Sequence, residues 1–123
     1  MSLQRVLAGV LPAQTRDDGA VTVAYEGTVA SLRTLRIAED LELISLVQLL
    51  AQNVPLSAGL RRTVAAQAEK TTLGTVILVE LSATTADVVL RYNFPAAGLS
   101  DSALQTLVLM VLSAGAEASR AVG

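Results

Sequence analysis

Glu39, Asp40 and Glu42 form the densest group of chemistry-bearing side chains in this chain. Hard divalent cations want several oxygen ligands, so such a group is where Mg²⁺ or Ca²⁺ would be sought. No glycine-anchored loop of alternating carboxylates surrounds it, and the spacing reads instead as a solvated hairpin turn. Asp17-Asp18-Gly19 carries turn chemistry in the same way. Arg33 and Arg36, with Arg61 and Arg62, would cradle an anion only if the fold brought them together, and neither a glycine-rich phosphate loop nor interleaved aromatics accompanies them. Glu80 and Asp87 flank a predicted hairpin and would have to face each other across it for acid–base work. That work also needs a cleft that raises one pKa, and the sequence marks none. Tyr92 and Phe94 share the phase of Val88 and Leu90, so they are expected in a core rather than stacked on a ligand.

Composition narrows the chemistry further. The 123 residues include no cysteine and no histidine, which removes disulfides, thiolate sites, thiol nucleophiles, the usual general base near neutral pH and the commonest metal ligand. Net charge is −2, with 16% charged against 52% hydrophobic residues, so no long-range positive field exists to gather phosphate backbones. A secretory signal would want a longer apolar core than the N-terminal run supplies. The apolar stretch from Leu43 to Leu60 is interrupted by Gln48, Gln52, Asn53 and Pro55, so it does not read as a membrane span.

The elements that would position these side chains follow from periodicity and punctuation. Leu3, Leu7, Val10 and Leu11 fall on one helical face, ended by Pro12, and a polar connection from Thr15 to Gly19 follows. Val21, Val23 and Tyr25 alternate as a first strand. Thr28 to Ala38 is a second, with Val29, Leu35 and Ile37 on one side. Leu41 to Ala51 is ambiguous: Leu43, Leu46, Val47 and Leu50 match a helix, whereas Leu41, Leu43, Val47 and Leu49 match a strand. As a strand it would carry Ile44, Leu46 and Leu50 on a second apolar face, which a single helical layer would leave uncovered. Ser57 caps a middle helix whose thin inner face is Leu60, Val64 and Ala68. Thr75 to Leu81 is a strand, Ser82 to Ala86 links it to the strand of Val88, Leu90, Tyr92 and Phe94, and together they make a hairpin. Pro95 and Gly98 then break the pattern, and Ser100-Asp101 starts a last helix. Leu104, Leu107, Val108, Val111 and Leu112 form its stripe. Leu109 and Met110 lie off that stripe, so the helix is apolar around most of its circumference and needs cover on more than one side.

Several of these residues carry a resemblance. Asn53-Val54-Pro55 before the middle helix, Gly74 opening the fourth strand, and above all Arg91-Tyr92-Asn93-Phe94-Pro95 with Gly98-Leu99-Ser100-Asp101 make the chain look like the YbjN family, whose fold is similar to that of type III secretion chaperones. The likeness covers nearly the whole chain from Val21 onward, and it, not the periodicity, assigns Leu41 to Ala51 to a strand. It implies a sensory or regulatory role, protein binding and dimerisation, and it carries over no catalytic residue.

The expected fold is therefore α+β: two layers, an antiparallel five-stranded sheet with helices on one face, in the order α-β-β-β-α-β-β-α, with residues 1–123 as a single domain. The expected function is a non-enzymatic protein-binding module, chaperone-like or regulatory, that acts as a homodimer in the cytoplasm and takes a polypeptide client. Contiguous uncovered apolar surface motivates it, with Ile44, Leu46, Leu50, Leu109 and Met110 as the expected contact residues. No cofactor, metal, nucleic acid or membrane partner is expected. The alternative is a regulatory domain that senses a small ligand in a pocket between helices and sheet.

Overall fold

The computed structural model describes residues 2–122. A short helix α1 (Leu3–Ala8) leads into strands β1 (Ala13–Thr15), β2 (Val21–Tyr25), β3 (Thr28–Ala38) and β4 (Leu41–Pro55). Helix α2 (Ala58–Lys70), strands β5 (Thr75–Glu80) and β6 (Thr85–Pro95), and helix α3 (Asp101–Val122) complete the order. Among the described residues the fold is α+β with an antiparallel sheet and three helices, as expected. The sheet there has six strands rather than five, in the order β1-β2-β3-β4-β6-β5. The additional strand β1 pairs Ala13 with Val23 and Thr15 with Val21 at the sheet edge, running into the expected polar connection.

Local chemistry sets the joints. Glu26 and Gly27 both take positive φ, 43° and 81°, which is the backbone of the tight turn whose twist suits a hairpin, here between β2 and β3. Ser57 and Ser100 cap α2 and α3 by accepting from the Leu60 and Ala103 N–H groups at 3.0 and 3.1 Å. Gly74 opens β5 at φ 83°, with the Arg91 carbonyl 3.0 Å from where a Cβ would stand, so a side chain would be both strained and crowded. Asn53 sits at φ 52° within the irregular end of β4, where its N–H donates to Asp87 Oδ1 at 2.7 Å.

The helices lie on one face of the sheet. That face is built from Val21 and Val23 of β2, Ala30 and Leu32 of β3, Ile44, Leu46 and Leu50 of β4, Val76 of β5, and Val88, Leu90 and Phe94 of β6. Onto it α3 presses Leu104, Val108, Val111 and Leu112, all at 1% exposure or less; each is worth roughly 1.5–3 kcal/mol of burial. Leu3, Val6 and Leu7 of α1 complete one end of this core, and Gln105 of α3 ties the two helices by donating to the Val6 carbonyl at 2.8 Å. By length and composition α3 could also cross a membrane, but its inner stripe is spent on the sheet.

One polar residue lies at the centre of this layer. Gln48 of β4 is fully buried, and its Nε2 donates to Thr28 Oγ1 at 2.8 Å and to the Leu112 carbonyl of α3 at 3.1 Å. Thr28 in turn donates to the Tyr25 carbonyl at 2.6 Å. Room for the amide exists because residue 115 of α3 is glycine: a Cβ there would stand 1.8 Å from Gln48 Oε1.

Candidate interaction face

The acidic group expected at a turn is at one. Glu39 and Asp40 form the exposed tip between β3 and β4, and among the described residues no group of three or more carboxylates converges as a cation site would require. The arginines do not converge either. Arg33 pairs with Asp18, Arg36 donates to the Glu39 carbonyl at 2.9 Å, and Arg61 pairs with Glu80 at 2.8 Å on the far side of the sheet. Asp18 is held below the ordinary carboxylate range, first by the Ala20 N–H and then by Arg33. Its interactions therefore favour the folded state above that ordinary range and are lost as pH falls through the lowered value. Glu80 and Asp87 do not face each other: the register sets Val79 beside Asp87 and Glu80 beside Ala86, so the two carboxylates point to opposite faces. Tyr92 and Phe94 stack on each other with ring centroids 5.2 Å apart, on the core side.

The expected contact residues divide. Ile44 and Leu46 are fully enclosed and Leu50 is 6% exposed, so all three are core residues beneath the helices rather than contact residues. The physical reason is that α3 lands on their side of β4: its Ser119 hydroxyl donates to the Leu50 carbonyl at 2.6 Å, and its Leu112 carbonyl accepts from Gln48. Leu109 is half-buried against the core, and Met110 is 56% exposed. Met110 lines a groove of about 440 Å³ between the end of α2 and α3, together with Gln67, Lys70, Leu73 and Glu117.

What β4 leaves uncovered is its other face. The strand registers align Ala24 with Val29, Val29 with Leu49, Leu49 with Val89, and Val89 with Ile77, an unbroken apolar row across five strands. No helix among the described residues covers this row, and the outward phase of the same strands adds Leu35, Leu43, Val47 and Val79. Val29 is 52% exposed, whereas Val89, on the second strand from the β5 edge, is only 7% exposed. The sequence signal was present in the alternation of Leu41, Leu43, Val47 and Leu49. What it lacked was which of two apolar faces turns inward.

The architecture is a two-layer α+β domain with helices on one side of an antiparallel sheet and an open apolar face on the other. No protein-family model and no curated protein sequence matches the chain. Among solved structures it is similar to YbjN from E. coli, a candidate transcription regulator, with a TM-score of 0.63 at 10% identity, over 95% of this chain and 85% of that one. The likeness is one of fold, and it agrees with the resemblance read from the strand–proline–helix joint.

Proposed function

We propose that this is a non-enzymatic, regulatory protein-binding domain that acts as a homodimer through the open face of its sheet. The observation that carries this reading is the uncovered apolar row from Ala24 through Val29, Leu49 and Val89 to Ile77. Uncovered contiguous apolar surface of that kind marks interaction sites in soluble domains. Five strands about 4.8 Å apart, paired over some 25 Å, give a face of roughly 500 Å² in projection, of the order of the ~800 Å² of accessible surface that a standard dimer buries per partner. The regulatory side of the reading rests on the fold shared with YbjN, and its non-enzymatic side on the absence of histidine and cysteine and on carboxylates that turn away from one another. Sedimentation equilibrium across a hundredfold range of concentration should show twice the chain mass at the upper end. A single monomeric species throughout would end the proposal.

A second reading is favoured by the groove at Met110, whose about 440 Å³ suits a small metabolite and whose Lys70 and Glu117 could orient one. A ligand bound there only in the folded state raises the melting temperature. A metabolite panel read by thermal shift should then yield a hit that Met110→Lys abolishes; a panel with no shift removes this reading.

A further inference from the structure

We infer that the two copies stack face to face about a two-fold axis lying along the apolar row and passing over Val89, so that Arg91 of each copy meets Asp87 of the other. This rests on the dimer proposed above and adds its register. The outward residues of β6 run Asp87, Val89, Arg91. Arg91 stands in the row of Val47 and Thr75 on one side of the apolar row, and Asp87 stands beside Val79 on the other. A two-fold axis along the apolar row lays Val29, Leu49, Val89 and Ile77 each over its own copy and exchanges the two flanking rows. Each arginine is thereby brought onto a carboxylate.

Other placements of the axis are worse. Moved one row over, it sets Arg91 on Arg91 of the second copy; turned to run along β6, it does the same and also sets Asp87 on Asp87. Like charges placed directly opposite each other are destabilising, and within an apolar interface the cost rises. Tilting the axis about 15° from the row gives the crossing of about 30° at which sheets pack face to face. Both charged groups are available. Arg91 is exposed, and Asp87 uses Oδ1 to accept from Asn53 N–H, which fixes its direction and leaves Oδ2 free. Arg33, the other cation in the outward phase, is already paired with Asp18.

The test is charge exchange between copies. R91D alone sets carboxylate against carboxylate at both contacts of the dimer, and D87R alone sets guanidinium against guanidinium at both; each should weaken self-association about tenfold or more. Mixed in equal amounts, the two variants form a heterodimer in which the R91D copy offers two carboxylates and the D87R copy two guanidinium groups, so both contacts are arginine to aspartate. Association should recover to near the parent level in native mass spectrometry. Because D87R loses the Asn53 contact, R91D combined with D87N, which keeps an acceptor for that N–H, serves as a second arm. It should regain part of what R91D loses, with an unchanged far-UV spectrum. Variants that dimerise like the parent, or a mixture no tighter than its components, overturn the register. If the parent dimer exists and Leu49→Lys dissociates it while the charge variants have no effect, the face is right and the axis wrong. If the parent never dimerises, the reading beneath fails as well.

Discussion

Gly115→Ala is expected to lower the melting temperature by roughly 10 °C, although alanine is the better helix former by about 1 kcal/mol. The added carbon would stand 1.8 Å from Gln48 Oε1, 2.4 Å from its Cδ and 2.8 Å from its Nε2, so side chain and methyl cannot share the space. Either α3 lifts away from β4 or the amide swings out and gives up its bonds to Thr28 and to the Leu112 carbonyl. A buried polar group stripped of its partner costs about 1–3 kcal/mol, and two such contacts outweigh the helix gain to leave a net loss of about 3 kcal/mol. Adding Gln48→Ala removes the overlap, so the double variant should melt closer to the parent than Gly115→Ala alone, a non-additivity expected of residues in direct contact. A Gly115→Ala protein that melts higher than the parent would show that the amide is not held where the structure puts it.

Leu46→Ala and Leu49→Lys, three positions apart on β4, should fail in opposite ways. Leu46 is wholly enclosed beneath the helices, and truncating it leaves a cavity worth about 3 kcal/mol, whatever the protein's state of association. Leu49 sits on the other face, half-buried in the apolar row, where a lysine can carry its charge into water along the sheet surface. Its spectrum and cooperative unfolding should persist while self-association disappears. Chemical denaturation and sedimentation on the same two samples separate the outcomes. Loss of folding in Leu49→Lys and loss of association alone in Leu46→Ala would invert the assignment of the two faces.

Much of this fold can be read from residues alone. Alternation located β2, β3, β5 and β6, the caps at Ser57 and Ser100 began two helices, and the joint at Pro95 and Gly98 separated the last strand from the last helix. For β4 the period was equivocal, and the family resemblance chose the strand. Strand β1 escaped because Ala13-Gln14-Thr15 is too short to alternate and owes its extended form to pairing with β2. The N-terminal helix stops at Ala8, a turn before the periodic pattern does, leaving Val10 exposed while Val6 takes a place in the core.

The direction of the sheet was the harder matter. Strands β3, β4 and β5 are apolar in both phases, so alternation gives the phase of each strand but not which phase is inside. Gln48 makes this worse, because it shares the phase of Ile44, Leu46 and Leu50 and gives that side the look of a wet surface. Only the missing side chain at Gly115, remote in sequence, turns it into a core residue. Helix α3 fixes the sign, and no local window of β4 contains that information.

The position of α3 in the chain has a consequence for how the molecule comes into being. The β2–β3–β4 meander is assembled from neighbouring segments and can form early, but the helix that roofs β4 is translated after every strand, and β6 must first pair residues as distant as Pro95 with Leu43. Until then the central ribbon is greasy above and below, and a growing polypeptide in that condition is prone to aggregate on the ribosome before α3 can cover it.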